Sequence, residues 1–73
     1  MEIKKEYVSG ISMADCDIRK YKLTIMNGVK RGKSFIQEVF IPRISEFEYG
    51  ETKATYNVNG KEYKNATDAF KML

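Results

Sequence analysis

Ala54-Thr55-Tyr56-Asn57-Val58-Asn59-Gly60-Lys61-Glu62-Tyr63-Lys64-Asn65-Ala66-Thr67-Asp68-Ala69-Phe70-Lys71-Met72-Leu73 is the stretch that decides the fold. Asn59-Gly60, flanked by Tyr56-Asn57-Val58 and Lys61-Glu62-Tyr63, predicts a two-residue type I′ hairpin turn. Both turn residues must adopt positive φ, which Asn and Gly tolerate best. That turn sets Val58 opposite Lys61 and Tyr56 opposite Tyr63, so the tyrosines share a face. Asn65 reads as a helix N-cap, and Asp68 places a carboxylate in the first turn, where the helix dipole favours it. Ala66, Ala69, Phe70 and Leu73 then form one apolar stripe at i, i+3, i+4 and i+7. The expectation is a hairpin feeding a short helix, with Tyr56 and Tyr63 packed under Phe70 and Leu73.

Upstream, Arg43 to Thr52 leaves two readings open. Ser45, Phe47 and Tyr49 alternate like a strand, while Ile44 and Phe47 also suit one helical turn; Gly50 ends either. Lys33 to Ile41 reads as a strand, and Pro42, which lacks a ladder donor, is expected to stop it. Asn27 to Gly32 is a glycine-bounded basic loop. Ile18 to Met26 alternates clearly, with Tyr21, Leu23 and Ile25 on one face and Lys20, Lys22 and Thr24 on the other. Ser12 to Asp17 reads as a polar turn. Ile3 to Ile11 is a first strand with Ile3 and Tyr7 on one face and Gly10 as a bulge. The sum is an α+β fold: a four- to five-stranded, mainly antiparallel sheet with a short C-terminal helix packed on one face. Residues 1–73 form a single small domain, with 54–73 as hairpin plus helix and 18–41 as a basic central hairpin.

The chain has 73 residues, 42% hydrophobic and 32% charged, which suits one small globular core. It contains no histidine and one cysteine. Ser-His and Cys-His nucleophile systems are thereby excluded, as is a His/Cys zinc site. Cys16 reads as a small semi-buried residue, and Asp15 and Asp17 as turn formers, since a calcium or magnesium site needs more oxygens than this stretch supplies. No apolar run resembles a leader or a membrane span, so a cytoplasmic location without membrane association is expected. No catalytic residue, cofactor or metal is expected.

Gly28-Val29-Lys30-Arg31-Gly32-Lys33-Ser34 is one residue short of a phosphate-binding G-x-x-x-x-G-K-[ST] loop. Such a loop leads into a helix, whereas Ser34 to Ile41 is β-branched and aromatic. Nucleotide hydrolysis is therefore not expected.

The functional content lies in the central hairpin. Arg19, Lys20, Lys22, Lys30, Arg31 and Lys33 fall in a fifteen-residue span with no acid. If Ile25 sits opposite Phe35, Val39 and Ile41 join the core face, and Ile36, Glu38 and Phe40 lie beside the lysines. Lysines mixed with an aromatic on a sheet face suit a nucleic acid, charge following phosphates and rings stacking on bases. The three charges at Lys30, Arg31 and Lys33 would sit on a mobile hairpin tip and contact phosphates. The alternative is a larger protein partner, as for an inhibitor or adaptor, with Ile36, Phe40, Phe47 and Tyr49 as anchors. A homodimer through a sheet edge is a further expectation. Against both stands the bland reading, in which Ile44, Phe47 or the first strand covers Ile36 and Phe40 and the lysines merely solvate a sheet rim. The hairpin-to-helix ending is similar to double-stranded-RNA-binding domains, but their N-terminal helix and lysine-rich second-helix start are missing, so no family is assigned.

Overall fold

The computed structural model describes residues 2–73. The chain runs β1 (Ile3–Ser12), β2 (Cys16–Ile25), β3 (Ser34–Ser45), β4 (Glu48–Tyr49), β5 (Lys53–Val58), β6 (Lys61–Tyr63) and α1 (Ala66–Lys71). All pairings are antiparallel, in the order β1-β2-β3-β5-β6, with β4 attached to β3. The α+β class is as expected. The strand count is higher: among the described residues the sheet has six strands, because in the 43–52 segment the strand reading holds over the helical turn and Glu48–Tyr49 pairs back on β3.

The C-terminal unit follows its sequence closely. Asn59 (φ 52°) and Gly60 (φ 88°) form the turn, and Tyr56 pairs with Tyr63 and Val58 with Lys61. The Asn65 side chain accepts from the Asp68 backbone N–H at 2.9 Å and caps α1. The helix is anchored differently from the expectation. Ala69, at 0% exposure, is its deepest residue, and it packs into a cluster of Leu23, Phe35 and Val58. Tyr21, Tyr56, Tyr63 and Leu73 close around this cluster. Phe70 is only half-buried, at the border of a cleft of about 280 Å³ that it lines with Ile3, Phe35, Ala66 and Thr67.

Pro42 does not stop β3, which continues to Ser45. The physical reason is directional. The neighbouring Arg43 N–H bonds across to the Asp15 carbonyl on the β2 side, while the Pro42 carbonyl faces the other way and accepts from Gly50 N–H at 2.7 Å. The missing proline donor therefore points into the gap between β5, whose pairing ends at Phe40–Lys53, and β4, whose pairing begins at Arg43–Tyr49. Gly50 stands on that side and donates to the Pro42 carbonyl, so the proline costs no bond of the β2–β3 ladder.

Two register details also differ. The bulge in β1 falls between Tyr7 and Ser9, which makes Val8 the extra residue, while Gly10 pairs with Arg19. Gly10 serves close approach instead: a Cβ there would overlap the Tyr7 hydroxyl. Phe35 pairs with Leu23 and not with Ile25, because Ile25 bonds back to the loop at Gly32 and Lys33. A slip of two residues preserves the faces. Leu23, Phe35, Val39 and Ile41 accordingly lie on the helix side, and Lys20, Lys22, Ile36, Glu38 and Phe40 on the opposite side.

Length decides what the helix can cover. Six residues of α-helix span about 9 Å, whereas the ten and twelve residues of β2 and β3 span about 33 to 40 Å. The molecule measures 45 × 20 × 19 Å. Among the described residues, no helix covers the far half of the sheet, built from residues 9–20 and 38–54, although Cys16 and Asp17 there are buried.

Candidate functional site: the bare face of the sheet

Register and alternation place four cross-strand rows on the face opposite α1, of which Lys4–Thr24–Ser34 lies nearest the loop. The outermost is Ile11–Ile18–Phe40–Lys53, the next Ser9–Lys20–Glu38–Thr55, and the third Glu6–Lys22–Ile36–Asn57–Glu62. Ile44, 67% exposed, extends the apolar row along β3. Ile36 is half-buried by its neighbours and Phe40 is 37% exposed. Neither Ile44, Phe47 nor β1 covers them: β1 lies beside β2 at the sheet edge, and Phe47 stands 90% exposed at the β3–β4 turn. Among the described residues, the cover that the bland reading invokes is absent over Phe40, while Ile36 is half-buried. A shallow trough of about 380 Å³ runs across the middle rows, floored by Lys20, Ile36, Glu38, Thr55 and Asn57, with Val8 and Glu62 at its sides.

The six basic residues of the central hairpin do not share one surface. Lys20 and Lys22 are on the bare face with Ile36 and Phe40. The Lys20 ammonium lies 3.8 Å from the Glu38 carboxylate, so the acid-free span in sequence is not acid-free in space. Arg19 is on the helix side, beyond the end of α1. The loop is two successive turns, closed by Arg31 N–H to the Gly28 carbonyl and Lys33 N–H to the Lys30 carbonyl. Lys30 does not extend from a mobile tip: its ammonium donates to the Phe70 carbonyl at 2.5 Å and lies 4.4 Å from the Phe70 ring centroid. A cation at a helix C-terminus complements the dipole, here on a carbonyl that also accepts from the Leu73 N–H at 3.2 Å. Arg31 and Lys33 stay exposed. Ser34 opens a strand and not a helix, so the glycine loop has the wrong element behind it for cradling phosphates.

On the helix side, the far half is tied by a polar cluster that sequence reading missed. Asp17 accepts from Ser12 Oγ at 2.7 Å and from Arg43 Nη2 at 2.9 Å, and the same Nη2 donates to Ser12 Oγ at 2.9 Å. The Ser12 hydrogen bond first, then the Arg43 guanidinium, hold the Asp17 carboxyl below the usual carboxylate value against the opposing effect of burial. Tyr49 lies under the Arg43 guanidinium at 5.5 Å. The only sequence signal was the alternation that puts Ser12, Asp17 and Arg43 on one face, and it needed the β1–β2–β3 register to be seen. Burial and the adjacent Asp15 push the Cys16 thiol up, which keeps it protonated and inert at neutral pH. Among the described residues, no helix is long and apolar enough to cross a membrane.

No protein-family model, curated protein or solved structure matches the chain.

Proposed function

We propose that this chain is a non-enzymatic module that docks on a larger protein through the bare face of its sheet. The observation that carries the reading is the uncovered row Ile11–Ile18–Phe40, continued by Ile44 and bordered by the trough. An apolar row rimmed by charge is the anatomy of a protein interface, with the aromatic as its anchor. The charges on this face favour the same reading. Lys4, Lys20, Lys22 and Lys53 are interspersed with Glu6, Glu38 and Glu62, giving a mixed field in place of the cationic track a nucleic acid would follow. Lys22, Arg31 and Lys33 remain exposed cations, and nucleic-acid binding through them is the competing outcome.

The test is capture from lysate with and without nuclease, at low and high salt, using the wild-type chain and the double variant Ile18→Ser, Phe40→Ser. A stoichiometric protein retained after nuclease and salt, and lost with the double variant, is the expected result. Captured material that disappears with nuclease, and with Lys22, Arg31 and Lys33 replaced by serine, would make the chain a nucleic-acid binder instead.

A further inference from the structure

The sheet has two edges, and they are built in opposite ways. At β1, Lys4, Lys5 and Glu6 stand in succession and Val8 bulges, both of which discourage a further strand. At the other edge β6 is only three residues long and pairs with Tyr56 to Val58, leaving Lys53 to Thr55 of β5 without an outer neighbour. The direction of the free backbone groups there follows from the turn. In a two-residue hairpin Val58 and Lys61 exchange both backbone hydrogen bonds, so by alternation Tyr56 does the same with Tyr63. Two residues further on, Ala54 presents its N–H and carbonyl to the same side, where β6 has already ended. The chain leaves at Lys64 and Asn65 to begin α1, and between it and β5 lies a notch of about 490 Å³ lined by Lys53, Ala54, Thr55 and Lys64.

We propose that this notch accepts an extended acidic peptide segment, which adds to β5 in line with β6. Ala54 supplies the paired donor and acceptor, and its methyl group leaves room on the helix side. Lys53 and Lys64 are both exposed, and neither makes an ion pair among the described residues. By strand parity the Lys53 side chain lies on the bare face, and Lys64, which follows Tyr63, begins on that face too. An aspartate or glutamate of the incoming strand, directed to that face, would lie between the two ammonium groups. Main-chain bonds give the affinity in such strand addition, and alternate side chains give the specificity. The slot is short, so the interaction is weak by itself and serves as a second foothold beside the row ending in Lys53.

The probe is an acetylated and amidated six-residue peptide alternating valine and glutamate, titrated into isotope-labelled protein. Saturable amide shifts confined to Lys53–Thr55 and Tyr63–Lys64 are expected, weakening at least ten-fold when lysine replaces glutamate in the peptide. Ala54→Pro removes only the outward donor, since the β5 bonds to β3 come from Lys53, Thr55 and Asn57. It should abolish the shifts while leaving the melting temperature nearly unchanged. Should that variant fold poorly, single N-methylation of the peptide at alternate positions, on wild-type protein, makes the same distinction: one methylation phase should abolish binding and the other spare it. Binding that is insensitive to Ala54→Pro and to both methylation phases would overturn the proposal, as would equal binding of a short oligothymidylate at the same residues. Absence of any shift would overturn it too. The Ile18 and Phe40 variant bears on the bare face alone, so the two readings fail separately.

Discussion

The two halves of this sheet share strands and differ in almost everything else. Near the helix, Leu23, Phe35, Val58 and Ala69 make a cluster closed by tyrosines, and Ile25 beside it is 1% exposed. Beyond the helix, the same β2 and β3 run on with Ile11, Phe40, Ile44, Phe47 and Tyr49 in contact with solvent. Hydrophobic burial holds the first half. The second is held by ladder hydrogen bonds and by the Ser12–Asp17–Arg43 cluster. Exposed apolar residues that a half does not bury itself are free for a partner, which is why docking is proposed there.

The largest expected effect separates the halves directly. Phe35→Ala removes the ring at the centre of the cluster and should cost about 3–5 kcal/mol, much of the stability of so small a domain. Chemical denaturation measures it; a loss below about 1 kcal/mol would mean that the helix half is not the structural core.

Acid should act on the other half. Asp17 has a lowered folded-state pKa, so its contribution is present above the ordinary carboxylate value and is lost as pH falls below that value and through the folded one. On acidification, amides of Cys16–Arg19 and Val39–Arg43 should lose exchange protection before those of Leu23–Ile25. Asp17→Asn should remove that order. Simultaneous loss in both halves would show one cooperative unit instead of two.

The smallest effect is the matching truncation at the tip. Phe47→Ala should shift stability by less than about 0.5 kcal/mol, because its ring is already in solvent. A loss comparable with Phe35→Ala would mean that the β3–β4 hairpin is packed against something essential.

What could be read from the sequence divides along the same line. The Asn59-Gly60 turn, the tyrosine pairing and the Asn65 cap depend on residues close together in the chain, and all three are found as expected. The β2–β3 register depends on how Gly28 to Lys33 folds into two turns, and the Phe35 partner was consequently displaced by two residues. Val8 as bulge and Pro42 inside a strand depend on which side of a strand its neighbour occupies, which alternation alone does not encode. For the candidate site, the company of Lys20, Lys22, Ile36 and Phe40 on one face was legible from parity. The departure of Arg19 to the other face, the docking of Lys30 on Phe70 and the Lys20–Glu38 pair were not, since each is made across strands or elements.

The strand order carries a consequence for how the chain acquires its shape. Each strand joins one close to it in sequence, so hairpins close over short loops and little chain entropy is lost at each step. The Lys30–Phe70 clamp, forty positions apart, the Arg43–Ser12 bond, thirty-one apart, and the seating of Ala69 against Leu23 join residues that are more distant in the chain. During synthesis β1, β2 and β3 are complete before α1 exists, and throughout that interval the apolar row of the far half and the uncovered floor under the future helix are both on display. The lysines and glutamate along β1 then have their greatest value: they guard a nascent sheet against pairing with its neighbours before any core has formed to hold it apart.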